Sequence, residues 1–205
     1  MLSQIQEPAQ RTSIHRPRGT LVTKCVNVGR DMMRSYFITK LLPAIVSRWP
    51  RYDRQRTIWI QQDNASSHVP PNDIQFQAAV AQTGLDIQIM YQPSNSPDMN
   101  ILDLGFFASL QSLTHRRASR NIEELIENVE KEYEEYEART LKRVFLTLQS
   151  CMIEVMKVNG GNRYKVPHMN KARLEALNML PTCLECPREV YEMAMQFVNN
   201  QEHAS

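Results

Sequence analysis

Two short β-prone runs, residues 57–62 and 86–91, flank a single helix-length segment, and this spacing constrains the fold more than any other feature of the chain. Thr57-Ile58-Trp59-Ile60-Gln61-Gln62 reads as a short buried strand that delivers Asp63 at its carboxyl end. Asp86-Ile87-Gln88-Ile89-Met90-Tyr91 alternates as a strand should. Between them, Pro70-Pro71-Asn72 opens a helix that runs through Ile74, Phe76, Ala79 and Val80 to a C-terminal glycine, Gly84. Strand, helix and strand in that order imply parallel pairing with a crossover, the signature of an α/β fold.

The flanks extend the alternation. Residues 20–28 form a β-prone run, and Met33, Tyr36, Phe37, Leu41, Leu42 and Ile45 follow at helical spacing. That helix is expected to stop near Trp49-Pro50, because a residue before proline is pushed out of helical dihedrals. Residues 1–19 carry Pro8, Pro17 and Gly19 with no periodicity, and read as a tail or loop. Downstream, residues 93–100 are turn-rich, and Ile101, Leu104, Phe107, Leu110 and Leu113 share one helical face with Asn100 as N-cap. From Asn121 the character changes: Ile122, Leu125, Ile126, Val129 and Tyr133 mark an amphipathic helix, residues 141–158 a second one ended by Gly160-Gly161, and residues 187–198 a short last one. The expected organisation is a tail over 1–19, an α/β region over 20–120 and a helical segment over 121–205.

The net charge of +2 says little, but its distribution is uneven. Residues 1–62 hold eleven Lys or Arg against three acids, whereas residues 121–137 hold eight Glu against one Lys. No apolar run reaches the length of a membrane span or secretory signal, so no membrane partner is expected, and the four Cys lack framework spacing, which suits an intracellular, reduced setting. Cys183 and Cys186 form a C-x-x-C without two further zinc ligands in motif spacing, and read as ordinary thiols.

Chemistry concentrates where a strand ends. In open parallel sheets ligands collect at the carboxyl ends of strands, which is where Asp63 stands, with Asn64 and His68 in the loop beyond it. The alternative for Asp63 is a turn cap. Asp103 lies in the first turn of an apolar helix beside Gly105, a residue unfavourable in a helix unless something must approach closely. Two carboxylates converging from a strand end and a helix start would supply half of a site for Mg²⁺, a hard cation that takes oxygen ligands and can activate a water or a 3′-hydroxyl against a phosphodiester. His68 and His115, taken singly, read as hydrogen-bonding surface residues.

These residues carry a resemblance. Ile60-Gln61-Gln62-Asp63-Asn64-Ala65, the run Gln92-Pro93-Ser94-Asn95-Ser96-Pro97-Asp98-Met99-Asn100-Ile101-Leu102-Asp103-Leu104-Gly105-Phe106-Phe107, and Gly19-Thr20-Leu21-Val22-Thr23-Lys24 closely resemble plant mariner-like transposases. The likeness extends from about Arg16 to the C-terminus, through Leu146-Thr147-Leu148-Gln149-Ser150-Cys151-Met152 and Val158-Asn159-Gly160-Gly161-Asn162. Thirty-nine residues separate Asp63 from Asp103, the spacing of that plant group, whereas Asp98 would give the 34 of the animal group. Asp103 is preferred because Asp98 sits in a proline-flanked turn that would hold its carboxylate less rigidly.

The resemblance implies an incomplete ribonuclease H-like mixed sheet flanked by helices and followed by a C-terminal helical segment. It implies metal-dependent DNA strand cleavage and transfer in the intact family, Asp63 and Asp103 as catalytic ligands of Mg²⁺ or Mn²⁺, the transposon ends as partner with self-association as a second expectation, a nuclear location and no small-molecule substrate. The family's first catalytic Asp and its DNA-binding helix-turn-helix have no counterpart before Thr20, so the chain alone is expected to be inactive, with weak metal binding and with strands at 20–28 and 57–62 left with unpaired edges. A different reading is a non-catalytic remnant that binds nucleic acid through Arg48 to Arg56 and Arg116, Arg117 and Arg120, or another protein through its acidic helix.

Overall fold

The computed structural model describes residues 5–14, 16–24 and 26–202. The chain is a mixed α/β protein with two small sheets, and it divides into two compact units, residues 3–94 and 95–205.

The first unit opens with a hairpin. Strand β1 (Ile5–Pro8) pairs antiparallel with β2 (Leu21–Lys24), Ile5 facing Lys24 and Pro8 facing Leu21. Residues 5–8 are therefore strand, where a tail or loop is expected over 1–19. The Ala9 N–H donates to Thr20 O and the Gly19 N–H to Ala9 O, both at 2.9 Å, so backbone bonds rather than apolar alternation hold the connection. Pro8 is admissible because an edge strand tolerates a missing N–H. β2 is shorter than the expected 20–28 run: Cys25 lies outside the described residues, and 26–29 have no regular structure. Among the described residues, β2 has β1 as its partner on one side and keeps its other edge unpaired, as do both strands of the second two-stranded sheet.

Residues 30–48 form one helical stretch: α1 (Arg30–Tyr36), a wide π-type turn (Phe37–Leu41) and α2 (Leu42–Arg48). The wide turn has a cause in the sequence. Pro43 has no N–H for the carbonyl four residues back, and its ring would crowd that carbonyl. The Leu42 N–H reaches Phe37 O, five residues back, which opens the turn and lets the helix continue. The stretch ends at Trp49, extended at φ −64°, ψ 133° ahead of Pro50.

Strand β3 (Ile58–Gln62), helix α3 (Ile74–Ala81) and strand β4 (Ile87–Tyr91) form the crossover unit that the spacing predicts. The strands are parallel, Ile58 facing Ile87 and Gln62 facing Tyr91. Ile58, Ile87 and Ile89 turn inward to a core with Leu42, Val69 and Phe76, and Met33, Phe37, Ile45 and Trp49 of the long helical stretch pack against it. The opposite face of β3 leaves Trp59 55% exposed.

The second unit is helical. After a single turn, Pro97–Met99, a second π-type segment (Leu102–Phe106) runs into α4 (Phe107–Thr114), followed by α5 (Ile122–Glu134), α6 (Ala138–Lys157), α7 (Lys171–Ala176) and α8 (Arg188–Glu202). The element order from β2 onward is thus strand, helix, strand, helix, strand, helix. Residues 95–120, grouped with the α/β region by sequence, pack among these helices. The buried face of α6 carries Leu146, Ser150 and Cys151, and Phe106 packs on Tyr136 at 5.1 Å and edge-on to Tyr133 at 6.4 Å between ring centroids.

Two ends of these helices follow directly from side-chain chemistry. At the start of α5 the Asn121 carboxamide oxygen accepts from the Glu124 N–H at 2.8 Å, while the Glu124 carboxylate accepts from the Arg120 N–H at 2.7 Å, a reciprocal cap. At the end of α6 the Gly160 N–H donates to Val155 O at 2.9 Å, with Asn159 and Gly160 both at positive φ. Helix α7, not foreseen from sequence, begins at Asn170, which is also left-handed at φ 48°.

Candidate metal centre

Asp63 follows the last residue of β3, so the strand itself sets its position. Its Oδ1 accepts from the Ala65 N–H at 2.8 Å, closing an Asx turn, and lies 2.9 Å from His68 Nδ1. His68 Nδ1 also lies 2.9 Å from the Asp63 carbonyl oxygen. Both neighbours are acceptors, so Nδ1 is the ring nitrogen placed to donate to them. The Asp63 side chain is half exposed, whereas that of His68 is largely covered.

The loop after β3 is fastened at several points. Asn64 Nδ2 donates to Gln92 O at 3.0 Å, tying the exit of β3 to the residue after β4. Gln62 Nε2 donates to Val69 O at 2.5 Å. Arg30, at the start of α1, donates from Nε to His68 O at 3.2 Å and from Nη2 to Ser66 O at 2.9 Å. Asp63 therefore stands on a braced loop at a strand terminus, and His68, read from sequence as a hydrogen-bonding surface residue, is one of its braces.

Asp103 belongs to the second unit and is exposed in the Leu102–Phe106 turn. Asn100 holds it: Asn100 Nδ2 donates to Asp103 Oδ2 at 2.9 Å, Asn100 Oδ1 accepts from the Leu102 N–H at 3.0 Å, and Asn100 O accepts from the Leu104 N–H at 2.8 Å. Asn100 thus performs the capping function its position suggests. Asp98 is differently placed. Its carboxylate accepts a hydrogen bond from the Tyr164 hydroxyl, and Asn162 Nδ2 reaches Asn95 O at 3.5 Å, so residues 162–164 fasten the 95–98 turn. Burial pushes the Tyr164 hydroxyl well above its ordinary range, and the neighbouring Asp98 carboxylate adds to the effect.

Gly105 has a packing reason. A Cβ added there would lie 3.3 Å from Val144 Cγ1 on α6. Gly105→Leu is therefore expected to overpack this contact and destabilise the second unit by about 2 kcal/mol, measured as a lower urea midpoint; an unchanged midpoint would mean that α6 yields freely.

Asp63 and Asp103 are the carboxylates singled out for Mg²⁺ or Mn²⁺, and oxygen donors suit such ions. Among the described residues, however, no group of three or more His, Cys, Asp or Glu is arranged to hold a metal ion. Cys183 and Cys186 are exposed free thiols. Of the arginines considered for phosphate contact, Arg117 is committed to Glu132 at 2.5 Å and Glu135 at 3.5 Å, while Arg116 and Arg120 are exposed. No helix among the described residues is long and apolar enough to cross a membrane. No protein-family model, curated protein or solved structure matches this chain.

Proposed function

We propose that this chain is part of the catalytic region of a mariner-type DNA transposase with a ribonuclease H-like core. In this reading Asp63 and Asp103 are two of the carboxylates that bind Mg²⁺ or Mn²⁺, DNA is the partner and the nucleus the site of action. The observation that carries it is the crossover unit β3, α3, β4 with Asp63 at the carboxyl end of its first strand, on a loop braced by Arg30, Gln62 and Asn64. The strand and helix order on both sides, and an Asp103 fixed by Asn100 without a cationic partner among the described residues, support it further. A bound cation would neutralise charge on a phosphodiester. Asp63 and Asp103 would supply carboxylate oxygens to it.

Two carboxylates hold such an ion weakly, so the 205 residues by themselves are expected to bind metal loosely and to leave supercoiled plasmid intact. The direct test is Mn²⁺ titration of the chain followed by amide NMR. Paramagnetic broadening is expected around residues 63–68 and 100–104 at the same low-millimolar Mn²⁺ concentrations, and Asp63→Asn is expected to weaken it at both places. Broadening at one place only, or at both but insensitive to Asp63→Asn, would overturn the assignment of these two carboxylates to one ion. One observation favours the second reading, a non-catalytic remnant: the described residues hold no preassembled cluster of three metal ligands.

A further inference from the structure

The segment between α2 and β3 carries four arginines and one acid within nine residues, Arg48 to Arg56. These arginines do different work. Arg54 Nη2 donates to Val46 O at 2.7 Å, one of the last carbonyls of α2, and so pins the turn to the helix it leaves. Trp49 packs against the core on one side of the turn, Pro50 fixes its entry at φ −59°, and the Asp53 N–H closes onto Pro50 O at 3.1 Å. The result is a short, braced turn, Arg51–Asp53.

This turn presents Tyr52 with 90% of its surface exposed, among the exposed side chains of Arg48, Arg51 and Arg56. The one nearby acid, Asp53, approaches Arg56 at 3.4 Å in an ion pair whose Arg side is 84% exposed, an arrangement of little energetic consequence. Arg48 and Arg51 have no ion pair among the described residues. Folding gains nothing from displaying a ring in this way, and the exposed arginines that flank it in sequence carry charge that one weak ion pair barely offsets. Both features suit one ligand chemistry: phosphates spaced along a flexible backbone, which the guanidinium groups neutralise, with an unpaired base to lie on the ring.

We propose that this turn is a binding site for single-stranded nucleic acid, with Arg48, Arg51 and Arg56 at the phosphates and Tyr52 stacked on a base. A duplex keeps its bases stacked on one another and offers Tyr52 no face. The site precedes β3 whereas Asp63 follows it, so the proposal goes beyond the metal-centre reading and needs neither carboxylate.

The test is fluorescence anisotropy of a labelled twelve-nucleotide oligothymidylate with the 205-residue chain, in the presence of EDTA. Three phosphate contacts on a single strand predict roughly a 20-fold loss of affinity between 50 and 200 mM salt. Arg51→Ala with Arg56→Ala is expected to weaken binding and reduce that loss to roughly threefold. Tyr52→Ala is expected to bind about tenfold more weakly with the salt dependence unchanged, and Tyr52→Phe to bind as the parent does. Absence of binding at 50 mM salt, equal binding of a duplex of the same length, or parental affinity in Tyr52→Ala would each overturn the proposal. Because EDTA is present, the result is independent of the Mn²⁺ titration.

Discussion

Replacing Phe76 with alanine is expected to destabilise the first unit by about 3–5 kcal/mol, the usual range for emptying a buried phenylalanine site. Phe76 is 1% exposed and belongs to the cluster of Leu42, Ile58, Val69, Ile87 and Ile89. Its ring meets that of Phe37 edge to face at 5.9 Å, joining α3 to the wide turn of the 30–48 helical stretch. The cavity would open where this stretch, α3 and the sheet meet, and a two-stranded parallel sheet has few other apolar contacts to fall back on. The effect should appear as a fall of many degrees in the thermal midpoint followed by circular dichroism. Phe76→Leu, which keeps most of the volume, should recover more than half of the loss. A loss below 1 kcal/mol in Phe76→Ala would mean that this cluster does not organise the unit.

The parts of the fold legible in sequence are those written as hydrophobic period. Ile58, Ile60, Ile87 and Ile89 mark two strands, Phe76, Ala79 and Val80 mark the helix between them, and Trp49-Pro50 marks a helix end. Each of these signals is local and strong, and Asp63 inherits its position from them. The hairpin of β1 with β2 was hidden because backbone hydrogen bonds maintain it and prolines interrupt its sequence. The wide turn at 37–41 had a visible cause in Pro43, but proline alone does not say whether a helix breaks or widens.

The candidate site divides in the same way. The anomaly of Gly105 correctly pointed to a close neighbour, yet nothing in the chain identifies that neighbour as Val144, thirty-nine positions away. Asn100 could be read as a cap because capping is local, and its amide then proved to hold Asp103 as well. The attachment of Asp98 to Tyr164 spans 66 residues and required the fold. It also gives the two neighbouring acids distinct roles. Asp98 is engaged in fixing a turn, while Asp103 keeps an exposed carboxylate.

Asp73 is the second residue whose loss should be severe, and it was overlooked because Pro70-Pro71-Asn72 offered an earlier helix start. It caps α3, its Oδ1 accepting from the Phe76 N–H at 2.9 Å, and it also receives Arg34 Nε at 2.8 Å on Oδ2 and 3.0 Å on Oδ1. Burial by itself would push the carboxyl's pKa up, but the Phe76 N–H and the Arg34 guanidinium outweigh that, and the carboxyl is held below its ordinary range. A carboxyl depressed in the folded state contributes stability that is fully present above its unfolded value, about 4, and disappears as pH falls through the lower folded value. Asp73→Asn keeps an oxygen for the cap and removes the charge, so it should be less stable than the parent at pH 7, with the difference closing below about pH 4. Asp73→Ala loses the cap as well, about 1–2 kcal/mol more than Asp73→Asn at either pH. Urea unfolding of the three proteins at pH 7 and pH 3 separates these contributions. If the gap between parent and Asp73→Asn is as wide at pH 3 as at pH 7, the ionised pair with Arg34 is not what Asp73 supplies.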